Sequence, residues 1–64
     1  MKTLYNLEVG DIVVDYGGNE KMALGVHISD NPLYHLSLFN DFETVGIDFT
    51  AKELEESEYK IKGQ

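Results

Sequence analysis

The sequence contains no cysteine, no arginine and no tryptophan, and a single proline, Pro32. Without cysteine there is no disulfide, no thiolate metal site and no cysteine nucleophile, and the composition suits a reducing compartment. Without arginine, basic charge rests on five lysines against twelve acidic residues, a formal charge of −7. Phosphate neutralisation supplies most of the affinity of nucleic-acid binders, so a chain of this charge is repelled by DNA or RNA and direct binding is not expected. No apolar run approaches the 18 or so residues of a membrane span. The opening Met1-Lys2-Thr3-Leu4-Tyr5-Asn6 has no apolar core of a signal peptide. Residence in the cytoplasm, away from membranes, is the expectation. Repeats, low-complexity tracts and interdomain linkers are also lacking.

What is present fits one small domain over residues 1–64. A chain of 64 residues buries only about 60% of the surface it would expose unfolded, so its core is thin. Hydrophobic residues make up 42% of it, with four tyrosines and three phenylalanines, enough to fold without a covalent staple. Residues 1–8 carry no clear pattern and read as a loosely ordered arm. Asp11 to Tyr16 reads as the first strand, entered through Val9-Gly10, and Gly17-Gly18-Asn19-Glu20 as a flexible turn. From Met22 to Ser29 apolar and other residues alternate, which predicts a half-buried strand with Met22, Leu24, Val26 and Ile28 inward. Asp30-Asn31-Pro32-Leu33 is a turn. Tyr34, Leu36 and Leu38 form the inward face of the next strand. Asp41-Phe42-Glu43-Thr44 turns into a short strand with Val45, Ile47 and Phe49 inward. Thr50-Ala51-Lys52-Glu53 has the spacing of a capping box and opens one helical turn through Leu54 and Glu55. Tyr59 and Ile61 alternate with lysines in a closing strand. Five short strands with a single helical turn before the last predict an all-β, five-stranded SH3-like barrel. An OB-type barrel is the second choice, since it needs more residues and a longer helix.

Val9-Gly10-Asp11-Ile12-Val13-Val14 resembles the "GD-hydrophobic-V" opening strand of SH3-like barrels, including the KOW and Tudor groups. Leu38-Phe39-Asn40-Asp41-Phe42, followed by Val45 and by Glu53-Leu54-Glu55, resembles the second half of a Tudor domain. That resemblance implies an aromatic cage for methylated lysine or arginine, with Phe39 and Phe42 as two walls and Tyr16 as a third. The chain departs from the Tudor pattern in lacking the tryptophan of the first half. Glu43 stands where a turn glycine is usual, and Thr44 near a position commonly held by asparagine. The alanine-leucine-tyrosine segment and groove tryptophan of proline-binding SH3 domains are missing, so proline-rich ligands are not expected.

The residues that carry chemistry read modestly. Strand pairing is expected to bring His27 and His35 together on the outer face, with Asp48 beside them. Two imidazoles and a carboxylate have the composition of a zinc site, but solvated surface histidines are the simpler reading, and neither a metal nor a cofactor is expected. Glu53, Glu55, Glu56 and Glu58 crowd one polar turn and read as a solvated face. Catalytic carboxylates need a pocket that drives their pKa values apart, and a barrel this small fills its interior with side chains. Gly17-Gly18 lacks the lysine-serine pair and helix of a phosphate-binding loop. No enzymatic activity is expected.

The aromatics give the functional lead. Tyr16, Phe39 and Phe42 fall at strand ends and loops, and Tyr5 beside them, where aromatics serve as interface anchors. Asp15, Asp41 and Glu43 would rim such a patch with negative charge. The expected binding residues are therefore Tyr16, Phe39, Asp41, Phe42 and Glu43, and the expected partner is a protein with a basic surface. Phe39 and Phe42 equally suit a core beneath the turn. Two other readings stay open: an acidic mimic of nucleic acid, of the kind phages and mobile elements use as inhibitors, and a homo-oligomeric structural subunit.

Overall fold

Short segments rich in β-branched and aromatic residues, each ended by Gly, Asn, Asp or Pro, favour strands joined by tight turns. A computed structural model of the chain describes residues 1–38 and 41–63, with the side chains of residues 41–45 outside that description. The elements are β1 (Ile12–Val14), β2 (Glu20–His27), β3 (Leu33–Leu38), β4 (Asp41–Thr50), helix α1 (Ala51–Glu56) and β5 (Lys60–Ile61). The strands form one antiparallel sheet in the order β4-β3-β2-β1-β5, with β4 and β5 at its two ends.

The core is formed by Leu7, Val13, Ala23, Tyr34, Leu36, Ala51, Leu54 and Tyr59, with Leu4, Val26, Phe49 and Ile61 against it. The inward face expected for β2 is therefore corrected. Val13 pairs with Lys21, so that Lys21 and Ala23 are the buried residues of the first half of β2, and Met22 and Leu24 are only half-buried. Ala23 then pairs with Leu36 but Gly25 with His35, which makes Leu24 the extra residue of a β-bulge. A bulge shifts the phase of a strand by one residue. Val26, opposite Tyr34, thus returns to the core face. Ile28 lies beyond the strand and is 87% exposed.

The second correction concerns β4. The stretch Asp41-Phe42-Glu43-Thr44, expected as a turn, is the first part of a ten-residue strand whose residue Asp41 pairs with Leu38. Phe42, Thr44 and Val45 favour extended backbone, and they outweigh the acidic residues between them. Phe49 sits opposite Tyr34 and packs against the core as expected, whereas Ile47, expected inward, lies opposite Leu36 but is 37% exposed. The inward placement expected for Val45 falls on a side chain outside the described residues.

The capping box is present. The Thr50 hydroxyl accepts from the Glu53 N–H at 3.2 Å, and the Glu53 carboxylate accepts from the Thr50 N–H at 2.9 Å. Ala51 and Leu54 face the core, while Lys52, Glu53, Glu55 and Glu56 face solvent. Ile61 pairs with Val13 in the closing strand, but that strand is only two residues long, and Tyr59, expected within it, lies just before it.

Residues 1–8, read as a loose arm, are anchored. The Tyr34 hydroxyl donates to the Leu4 carbonyl at 2.6 Å and accepts from the Leu7 N–H at 3.2 Å, and Leu7 is buried. Burial pushes the Tyr34 phenol above its ordinary pKa. Lys2 bridges Glu8 and Asp11, each at 2.9 Å. The hydrogen bond with Asp11 is the main cause that raises the Lys2 ammonium.

Candidate functional site

The turn from β1 to β2 is organised by one carboxylate. Asp15 accepts from the Asn19 N–H at 2.9 Å and from the Asn19 side-chain amide at 3.2 Å. The backbone bond to Asn19 is the main cause holding the Asp15 carboxyl below its usual range. Gly18 takes a φ of 86°, which an L side chain resists, so the turn needs glycine there. The turn read as flexible is closed by these bonds, and it thrusts the next side chain outward: Tyr16 is 88% exposed.

Tyr16 stands between two open depressions, each of about 280 Å³. The first is lined by Asp15, Tyr16, Gly17, Phe49, Ser57 and Tyr59. Phe49 and Tyr59 pack with ring centroids 5.8 Å apart and planes tilted by 50°. The second is lined by Val14, Asp15, Tyr16, Glu58 and Lys60. Three aromatic rings from β4, the β1–β2 turn and the segment after α1 thus meet around one surface.

Beneath it lies Lys21, only 1% exposed. Its ammonium donates to the Tyr59 hydroxyl at 2.7 Å, lies 5.0 Å from the centre of the Tyr59 ring and 3.9 Å from an Asp15 carboxylate oxygen. Burying a charge is costly unless it is paired and hydrogen-bonded, and these partners meet that requirement. The arrangement also fixes roles, because an ammonium has donors only. Tyr59 must accept from Lys21, and Asp15 is held to its own turn. Less of the Asp15 charge is therefore offered outward than its place at the rim suggests.

Of the residues expected to bind, Tyr16 is brought to an exposed groove wall. Phe39 lies outside the described residues. Asp41, Phe42 and Glu43 belong to the first part of β4, with their side chains outside the described residues. Tyr5 is half-spoken for, its hydroxyl donating to Glu55 across α1 at 3.3 Å. Sequence reading did not assign Phe49, Tyr59, Lys21 or Glu58 to a site. Alternation placed Phe49 and Tyr59 in the core, and a residue that covers the core at a sheet end serves equally as a groove wall.

On the outer face His27 and His35 do lie on the same side, beside Asp48. The His35 ring nitrogen Nδ1 is 2.8 Å from an Asp48 carboxylate oxygen. Gly25, Val26, His27, Leu33, His35 and Asp48 line a depression of about 250 Å³ there. Among the described residues no group of three or more histidines and carboxylates is arranged to hold a metal ion. No described helix is long and apolar enough to cross a membrane. Comparison with protein-family models, with curated proteins and with solved structures finds no match to this chain.

Proposed function

We propose that this chain is a non-enzymatic interaction module, an SH3-like barrel that binds a basic segment of a partner protein on the surface around Tyr16. The observation that carries this reading is the exposed Tyr16 ring, flanked by grooves that Phe49 and Tyr59 help to wall, on a molecule of charge −7. A bulky ring left in water at a groove is a natural anchor, and a cation over an aromatic face gains about 0.5–1 kcal/mol at exposed sites. The negative field of the molecule raises the encounter rate with a basic partner and disfavours acidic ones. The strand order and the helix between β4 and β5 support the barrel. So does the contact of Phe49, on one end strand, with Tyr59, which leads into the other.

The test uses the hexapeptide Ala-Lys-Leu-Lys-Ala-Lys carrying an N-terminal fluorophore, titrated with the protein while fluorescence anisotropy is read. Tyr16→Ala should weaken binding roughly tenfold and leave the circular dichroism native, since the side chain is 88% exposed. Equal affinity of the variant and the parent would remove this reading. A nucleic-acid mimic would instead lose binding with salt alone and ignore Tyr16.

A further inference from the structure

Four described residues adopt a positive φ: Gly10 at 98°, Gly18 at 86°, Gly63 at 88° and Glu58 at 60°. Three are glycine, the residue that accepts this conformation without cost; the fourth carries a carboxylate. Its position is the one after the C-cap of α1. The Glu58 N–H donates to the Glu55 carbonyl at 3.1 Å and the Tyr59 N–H to the Leu54 carbonyl at 3.0 Å. This is the bonding of a Schellman motif, in which glycine is the usual occupant of the left-handed position. The geometry therefore asks for glycine, and elsewhere in the chain it receives one.

The strained residue faces the second groove, which Val14, Asp15, Tyr16 and Lys60 also line. Its own side chain is exposed. The Schellman turn holds Glu58 in this conformation, and the chain keeps a carboxylate rather than a glycine where that turn meets the groove. We propose that Glu58 selects the ligand's cation: its left-handed backbone presents the carboxylate to a lysine or arginine side chain of an extended peptide lying across Tyr16. Val14 and the Tyr16 ring supply the apolar floor, and the Lys60 ammonium on the other wall is a donor for a peptide carbonyl. The inference rests on the reading of Tyr16 as the anchor and adds the residue that gives that anchor its charge preference.

A glycine at position 58 separates the two roles, because it relieves the backbone and removes the carboxylate. With the same labelled hexapeptide, Glu58→Gly should weaken binding roughly three- to fivefold, the range of an exposed ion pair. The same variant should melt a few degrees higher, roughly 2–6 °C. Glu58→Gln should weaken binding as much without the rise in melting temperature. Glu56→Gln, an equal change of charge on α1 away from the groove, should weaken it less than either. Unchanged affinity in both Glu58 variants, with Tyr16→Ala still defective, would overturn the role of Glu58 and leave the Tyr16 reading standing. Equal losses in Glu56→Gln and Glu58→Gln would overturn it as well, since the effect would then be net charge. If the parent protein fails to bind the peptide, both readings fall together.

Discussion

Lys21 shows how one residue ties fold to surface. Alternation with the apolar residues of β2 sends it outward on paper, yet the bulge at Leu24 gives the first half of the strand the opposite phase, and Lys21 is buried opposite Val13. A lysine there is tolerated because Tyr59 and Asp15 surround its ammonium. Lys21→Met would leave the nearly buried Tyr59 hydroxyl without its donor, and should cost about 1–3 kcal/mol in urea unfolding. Combining it with Tyr59→Phe should recover part of that loss, because both polar ends are then gone. A single substitution without effect would mean that the ammonium supports nothing. The exposure of Tyr16 was legible because aromatic, acidic and glycine residues crowd one turn. Lys21 and Glu58 were not, since pairing register and backbone sign leave no trace in composition.

Among the elements, those with local rules were read well. The capping box needs only Thr50 and Glu53 at the right spacing, and Ile61 needs only a strand to pair with. The elements with long-range determinants were read less well. The bulge in β2 depends on how β3 pairs, and the start of β4 depends on the pairing of Leu38 with Asp41. On β4, Gly46 pairs with Ser37 of β3. A Cβ there would overlap the Leu36 carbonyl, which is backbone and cannot swing aside. Gly46→Ala should therefore destabilise the protein by about 2 kcal/mol or more, or fail to fold; a neutral thermal melt would contradict the β3–β4 register. The N-terminal segment hangs on Tyr34 in the same way. Tyr34→Phe strips the Leu7 N–H and the Leu4 carbonyl of their partner. It should cost about 1–3 kcal/mol and speed hydrogen exchange over residues 1–8 more than in α1.

At the scale of the molecule, charge sets the response to pH. The formal charge of −7 means self-repulsion at neutrality, which protonation or salt relieves. Asp11 works against that trend. Its carboxyl is held below the usual range first by the Glu8 N–H and then by Lys2, and Asp15 is held down by the Asn19 N–H. A carboxyl with a lowered folded-state pKa contributes stability above its unfolded value, and loses that contribution as the pH falls through the folded value. At low salt the melting temperature should rise from pH 7 towards about 4.5 and fall below about 4. Salt should flatten the rise and leave the acid fall. A melting temperature that kept climbing below pH 4 would show that the Asp11 and Asp15 bonds add nothing.

The surface around Tyr16 unites these scales, since a turn, a buried lysine, the rings of Phe49 and Tyr59 and a left-handed glutamate meet there. The most direct measurement is a nitrogen-15 NMR titration of the protein with unlabelled Ala-Lys-Leu-Lys-Ala-Lys. Shift changes concentrated at Val14, Tyr16, Gly17, Phe49, Ser57, Glu58 and Tyr59, and lost in Tyr16→Ala, are the expected result. Changes spread along the exposed glutamates of α1, or centred on the His35–Asp48 face, would contradict a binding surface at Tyr16.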